Sequence, residues 1–400
     1  MYQPPAGARD LLPLDVAQKG WIEDRLQSVF QHWNYHRIIP PTLERLETLT
    51  AGGAVQPETV IQVWDAEEGV LGLRPELTAS IARAAVTRIV DSAYPQRLFY
   101  NANVFRRQPG PLGGQHEFFQ LGVELLGGSG LLADAETLLL LADGLRAVGL
   151  QEWHLILGEA GLTRSLLCAF PEALRPSVRH AIAQLDRVGL GSLPLSPALR
   201  KRAMALLELR GHPGDVLQQI AQWPLDPTQE EAVTHLKSLV EVLGSHPSVV
   251  LDLSLIQTFD YYTGIVFEVV SESDGGQRVL GQGGRYDQLL GLYHPQGQQI
   301  PGIGFCLNME DLHQVLLTQG LLPRQTLSSD WLVVAAESGA IAATFDYAQQ
   351  LRAQTGDRSR VEVELSQRSA EATREYARHR QIGHIAWVSA SKTATVESLK

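Results

Sequence analysis

Ile22, Leu26, Val29, Phe30 and Trp33 recur at helical spacing, which predicts one amphipathic helix near the start of the chain, with Asp15 a candidate cap. The pattern then shortens. Residues 35–44 read as a short strand interrupted by Pro40 and Pro41, which withhold backbone donors and belong at a sheet edge or an interface. A further short strand over 70–76 ends in Arg74-Pro75-Glu76, and Thr78 is placed to cap a helix running through Arg83 and Arg88. Residues 97–106 and 117–126 read as two strands of an antiparallel hairpin around a Gly/Pro-rich loop. Gly127, Gly128, Ser129 and Gly130 close it, and a helix over 135–148 stops at Gly149.

From about 151 to 251 the chain is rich in Leu and Ala, which predicts a mostly helical insertion with helices over 199–210 and 230–243. Sheet character resumes at 260–270 and 281–287, and over 301–312 a strand runs into a helix. Residues 319–329 read as a linker. Beyond it a strand over 331–335, a helix near 340–355, a strand over 361–365, a helix near 369–379 and a strand over 384–388 describe a small α/β unit of about 70 residues. The expected fold class is α+β. A core over 1–320 is built on an antiparallel sheet flanked by helices, and a small α/β domain occupies 321–400.

Composition narrows the classes. A chain of 400 residues, 44% hydrophobic and 19% charged, has enough apolar surface for two or three cores. Its net charge of -11 argues against binding nucleic acid through a broad basic field. Two cysteines, Cys168 and Cys306, form no disulfide framework, and no Cys/His spacing reads as a metal site. The amino-terminal residues have no apolar signal core and no run is long enough to span a bilayer, so a cytoplasmic protein is expected. Phosphate-binding Gly-Lys-Ser/Thr loops, zinc helices of the His-Glu-x-x-His type and Gly-x-Ser-x-Gly elbows are absent from the sequence, and no cofactor is expected.

The remaining chemistry is scattered over four short segments: Leu73-Arg-Pro-Glu-Leu-Thr78, Phe118-Phe-Gln-Leu-Gly-Val-Glu124, Phe259-Asp-Tyr-Tyr262 and Gly283-Gly-Arg-Tyr-Asp287. Singly, each reads as ordinary structure: a glutamate after Arg-Pro is a strand end, paired tyrosines are packing, paired glycines are a turn. In this order they resemble the LRPEGT, FHQLGCE, LDYY and GGRYD motifs of histidyl-tRNA synthetases, across most of residues 1–320. Residues 301–312 resemble motif 3 of the class II synthetases. The resemblance implies a class II aminoacyl-tRNA synthetase-like core, a dimer interface near the proline-marked strand, and a pocket for free histidine. In that pocket Glu76, Thr78 and Gln120 would accept from the ammonium group. Glu124 and the Tyr262 hydroxyl would satisfy the ring nitrogens, and Arg106 would face the carboxylate. Gly283, with Gly284, would let backbone pass close to the ring, with Tyr261 and Tyr286 as walls.

The departures from the family fall on the ATP side. Gln257 stands where the family has an adenylate-stabilising arginine, Gln108 where motif 2 has a glutamate on adenine, and His116 where a loop arginine is expected. Asp311 replaces the motif 3 arginine, and a carboxylate beside phosphates repels where a guanidinium would bond. Loss of the ATP positions beside survival of the amino-acid positions resembles the regulatory subunits of ATP phosphoribosyltransferase. That resemblance implies no catalysis in this chain, a short-form ATP phosphoribosyltransferase catalytic subunit as partner, L-histidine as ligand and self-association as a class II-like dimer, while the acidic balance disfavours tRNA as a partner. The segment over 331–400 resembles a shortened anticodon-binding domain in its α/β alternation only. A divergent active histidyl-tRNA synthetase and a stand-alone histidine sensor remain as alternatives.

Overall fold

The computed structural model describes residues 4–5, 7–53, 55–89, 93–107, 114–244, 248–256, 261–273, 276–355 and 359–399. The chain divides into two compact units, Met1–Pro323 and Arg324–Lys400.

In the first unit α1 (Pro13–His32) leads into two short strands, β1 (His36–Arg37) and β2 (Leu43–Arg45), and then α2 (Leu46–Thr50). The hairpin of β3 (Gln62–Asp65) and β4 (Gly69–Leu73) precedes α3 (Thr78–Arg88). A longer hairpin, β5 (Gln96–Phe105) and β6 (Glu117–Leu126), is followed by α4 (Gly130–Ala147) and β7 (His154–Glu159). A largely helical stretch comes next: α5 (Ala160–Leu167), α6 (Arg175–Ala183), α7 (Arg187–Ser192), α8 (Pro197–Leu207), the two-residue β8 (Arg210–Gly211), α9 (Pro213–Ile220) and α10 (Pro227–Leu243). The unit finishes with β9 (Ser248–Asp252), β10 (Ile265–Ser273), β11 (Gly276–Arg285), α11 (Leu289–Tyr293), β12 (Gly302–Asn308) and α12 (Met309–Thr318).

Nine strands form one sheet in the order β1-β5-β6-β12-β11-β10-β7-β9-β8. The run from β5 to β7 is antiparallel throughout, whereas β1 pairs parallel with β5 and β7 parallel with β9. A second sheet, β2-β4-β3, stands apart. Residues 35–44 are therefore not one strand. Pro40 and Pro41 interrupt pairing, and β1 joins the large sheet while β2 joins the small one.

The stretch over 151–251 is more than an insertion, because its two ends are strands of the main sheet. Only the segment between β7 and β9 is helical. The run Leu155-Ile-Leu157 is apolar at three successive positions, so it lacks the alternation that marks a strand with one wet face.

Alternation along the strands separates two cores. Phe99, Leu121, Val123, Leu125, Phe267 and Phe305 face a layer containing Ile22, Leu26 and Phe30 of α1. Phe30 meets Phe99 and Phe305 edge-on, each at 5.9 Å between ring centroids. Full burial of each such side chain contributes about 1.5–3 kcal/mol, and the spacing of α1 places three on one stripe. Asp15 sits at the third position of α1 and accepts the Leu12 N–H at 3.0 Å, so it serves the helix start from inside the first turn. On the other face Tyr100, Val104, Tyr262 and Tyr286 pack with Leu77, just before α3, and with Ile81 and Ala85 of α3. α4 begins at Gly130, earlier than the apolar pattern predicts, and Gly149 takes a φ of 81° just beyond its end.

The second unit contains β13 (Trp331–Ala335), α13 (Ile341–Thr355), β14 (Val361–Val363), α14 (Ala370–His379), β15 (His384–Val388) and β16 (Ala394–Ser398). Its sheet runs β14-β13-β15-β16, parallel for the first three strands and antiparallel at β16. The sequence pattern does not signal β16. The turn before it contains no glycine or proline, and Lys392 takes the left-handed conformation at φ 63° instead.

Candidate functional site

The second face of the main sheet holds a cavity, partly open to solvent, between β5, β6, β11, β12 and the start of α3. Alternation builds it. Gln120 and Glu124 of β6 point to this face while Leu121, Val123 and Leu125 point to the other. Glu76, Thr78, Arg106, Gln120, Glu124, Tyr261, Tyr262 and Tyr286 all line the cavity.

Glu124 is 1% exposed and hydrogen-bonded on both carboxyl oxygens. Thr78 Oγ1 donates to Oε1 at 2.7 Å, and the Tyr286 hydroxyl donates to Oε2. Burial pushes its carboxyl up to about 8 against the pull of those two donors. Glu76 is held differently. Its oxygens accept the Thr78 N–H at 2.6 Å and the Ala79 N–H at 3.0 Å, which makes it the acceptor at the start of α3. Thr78 is thus the first residue of that helix and not its cap, and its hydroxyl is freed for Glu124. Burial also raises the Glu76 carboxyl, with the nearby Arg106 charge acting in the opposite direction. Arg106 is anchored by its Nε to the Pro75 carbonyl at 2.8 Å.

Burial drives the hydroxyls of Tyr100, Tyr261, Tyr262 and Tyr286 well above their ordinary range, so these phenols stay protonated and neutral. Tyr261 lies 4.8 Å from Tyr262 and 5.8 Å from Tyr286 between ring centroids, making an aromatic wall. The result is a site rich in acceptors and neutral hydroxyls, with the Arg106 cation in its lining. Such a site accepts a small ligand bearing N–H donors and a carboxylate.

Gly283 is placed elsewhere. A Cβ there would strike the Gly304 carbonyl and the Phe267 ring, on the core face, because it is one residue out of phase with the cavity. Gly284 is the residue in phase, and a Cβ there would meet the Tyr262 ring at 2.7 Å. The close backbone approach anticipated for the Gly-Gly pair therefore belongs to Gly284 alone. Gly304 is a second such position, where a Cβ would collide with the Glu124 carboxyl and the Val123 carbonyl.

Tyr100 and Gln282, outside the motifs, and Cys306, inside the motif 3 stretch but given no role there, also line the cavity. Register would have found them. Gln282 pairs with Cys306 across β11 and β12, and Tyr100 sits opposite Gly122, two residues before Glu124. Gln120 Nε2 donates to Cys306 Sγ at 3.7 Å, and burial pushes that thiol up to about 11, leaving it protonated near neutral pH.

The altered ATP-side positions separate. Gln108 and Gln257 lie outside the described residues. His116 Nδ1 lies 3.1 Å from the Arg106 carbonyl, and its backbone N–H donates to the Gly7 carbonyl at 2.9 Å. Asp311, in the first turn of α12, pairs with Arg278 of β11 at 3.1 Å. Among the described residues no three His, Cys, Asp or Glu side chains gather as metal ligands would. No helix among them is long and apolar enough to cross a membrane.

A family model for histidyl-tRNA synthetase matches residues 7–312. Proteins named ATP phosphoribosyltransferase regulatory subunit from a Cyanothece strain and from Nostoc punctiforme are 63% and 60% identical to this chain, each over 100% of both chains. A solved chain from Bacillus halodurans, described as an ATP phosphoribosyltransferase regulatory subunit/histidyl-tRNA synthetase, superposes with a TM-score of 0.84 at 28% identity over 97% of this chain and 98% of its own. Histidyl-tRNA synthetase from a Nostoc species superposes with a TM-score of 0.79 at 20% identity over 100% of this chain and 95% of its own, a likeness of fold.

Proposed function

The chain belongs to the ATP phosphoribosyltransferase regulatory subunits, a family with a histidyl-tRNA synthetase-like core, and from that premise we propose that it binds free L-histidine in the Glu124 cavity and governs a short-form ATP phosphoribosyltransferase catalytic subunit. It has no catalysis of its own and acts in the first step of histidine biosynthesis.

The observation that carries the ligand is the environment of Glu124. A carboxyl held near pH 8 by burial gains most from a ligand that brings an N–H to it, and the imidazole ring does so. An amino acid without ring nitrogens would leave that group short of a partner, which is how a polar pocket rejects analogues. In this reading the Tyr262 hydroxyl takes the second ring nitrogen. Glu76, Thr78 and Gln120 surround the ammonium group, Arg106 meets the carboxylate, and Tyr261 with Tyr286 walls the ring.

The Arg278 partner of Asp311 supports the absence of adenylation: the acidic residue at the motif 3 position is matched to a protein cation, not to phosphate. With a net charge of -11 the chain has no broad basic field for tRNA. We place the protein in the cytoplasm, as a class II-like dimer bound to the catalytic subunit.

The deciding measurement is phosphoribosyl-ATP formation by the catalytic subunit, with and without this chain, across a histidine titration. Activation by the chain and inhibition as histidine rises are expected. A catalytic subunit indifferent to the chain would refute the assignment.

A further inference from the structure

We infer that His235 on α10 is a positioning residue for the ligand cavity: acting through Asp134 and Arg285, it fixes the backbone that carries Tyr262 and Tyr286, and so couples cavity occupancy to α10. The inference rests on the cavity being the histidine site.

Asp134 of α4 is 1% exposed, and each of its oxygens holds a different element. Oδ1 accepts Arg285 Nε at 2.9 Å and Nη2 at 2.5 Å, at the end of β11. Oδ2 lies 2.7 Å from His235 Nε2, on α10. Arg285 Nη1 donates onward to Asp287 at 2.9 Å and to the Gly128 carbonyl at 3.1 Å.

The clamp reaches the cavity through the main chain. The Arg285 carbonyl accepts the Thr263 N–H at 2.7 Å, and the Asp287 N–H donates to Thr263 Oγ1 at 2.9 Å. Thr263 follows Tyr262, and Arg285 precedes Tyr286, so one node sets the position of two cavity tyrosines. A parallel tie strengthens the reading. Gln229 of α10 donates to Ser165 Oγ of α5 at 2.8 Å, and Arg164 of α5 donates to the Tyr262 carbonyl at 3.0 Å.

His235 faces Asp134, Arg285 and Glu159. The hydrogen bond it donates to Asp134 raises its pKa above the ordinary imidazole value against burial and the Arg285 charge. Charge-assisted bonds of this kind are shorter and stronger than neutral ones, and this one joins α10 to the buried Asp134 of α4. None of the motifs that delineate the cavity includes His235.

The test uses the full chain with L-histidine. Calorimetry gives the affinity of the wild type, His235→Ala and His235→Gln, and hydrogen–deuterium exchange follows the amides of α10 with and without ligand. Histidine should slow exchange in α10 of the wild type. His235→Ala should bind about fivefold more weakly or worse and lose that protection. His235→Gln keeps a donor for Asp134 and should recover much of both. The side chain is 27% exposed, so truncation leaves no sealed void, and a thermal melt verifies folding. Wild-type affinity in His235→Ala, or α10 exchange indifferent to histidine in the wild type, would overturn the inference while leaving the cavity assignment standing. A wild type that binds no histidine would remove both.

Discussion

The hydroxyl of Thr78 donates to Glu124 Oε1 at 2.7 Å, joining the first residue of α3 to the last part of β6. That bond is possible because Glu76, two residues earlier, takes over the start of the helix and leaves Thr78 free. The cavity is therefore bordered by a division of labour between two neighbours: one acid serves the helix, and one hydroxyl serves the sheet.

Removing the Thr78 hydroxyl should weaken histidine binding. Thr78→Val keeps the shape and deletes the donor, leaving a buried carboxyl oxygen with one partner fewer. A loss of about tenfold in affinity is expected from a hydrogen bond to such a group. Thr78→Ser should bind within a few-fold of the wild type. Calorimetry separates the two, and a valine variant of wild-type affinity would dissociate Thr78 from the site.

Glu124 makes stability depend on pH in a set direction. Its carboxyl is raised from 4.5 to about 8, so the folded chain keeps a proton that the unfolded chain gives up. Rising pH across that window favours unfolding, and the penalty is complete above about 8. Glu124→Gln has no proton to lose. Melts of the variant and the wild type should agree near pH 4 and diverge from pH 5 upward, the variant ending more stable by on the order of a few kcal/mol. The same variant should lose histidine binding at every pH, because the amide cannot become the anion that a ring N–H stabilises. Parallel melting curves across pH 4 to 9 would contradict the buried, protonated state of this group.

The sequence reveals the cavity through residues whose chemistry is unusual for their place. Glu124 in an apolar strand and the Tyr261-Tyr262 pair are such residues, and they converge. It conceals what depends on phase or register. Gly283 carries the motif, but a one-residue step in β11 turns it to the core and gives the close approach to Gly284. Gln282 and Cys306 look like ordinary strand residues until their cross-strand pairing is known. Among the elements, α1 and the long hairpin of β5 and β6 follow directly from periodicity. β7 is obscured because Leu155, Ile156 and Leu157 are apolar in succession and show no polar alternation to betray a strand. The Asp134, Arg285 and His235 node is invisible in the sequence, since its members come from α4, β11 and α10.

Breaking that node should be costly from one side and mild from another. Asp134→Ala leaves Arg285, itself 6% exposed, without its main counter-charge, and such losses run to about 3–5 kcal/mol. Asp287→Asn removes a more exposed partner of the same guanidinium, with an expected cost below about 1 kcal/mol. Urea unfolding with an unchanged slope measures both, and comparable losses for the two variants would show that Asp134 is not the principal support of Arg285.

Restoring the motif 3 arginine should not restore a synthetase. Asp311→Arg places a guanidinium near Arg278 where a salt bridge now stands, but both side chains of that pair are 39% exposed, so the stability change should stay below about 1 kcal/mol. Adenylation also needs a cationic side chain beside the α-phosphate and an acceptor for adenine, and the chain has Gln257 and Gln108 at those positions. Groups that act together in stabilising one transition state do not contribute singly, so one cation returned among several absent leaves the rate near background. Histidine-dependent exchange of pyrophosphate into ATP should therefore be undetectable in both the wild type and Asp311→Arg. Exchange by the variant alone would mean that a single carboxylate had silenced an otherwise competent site. Exchange by the wild type would mean that the chain is an enzyme and that Arg278 yields Asp311 when nucleotide binds.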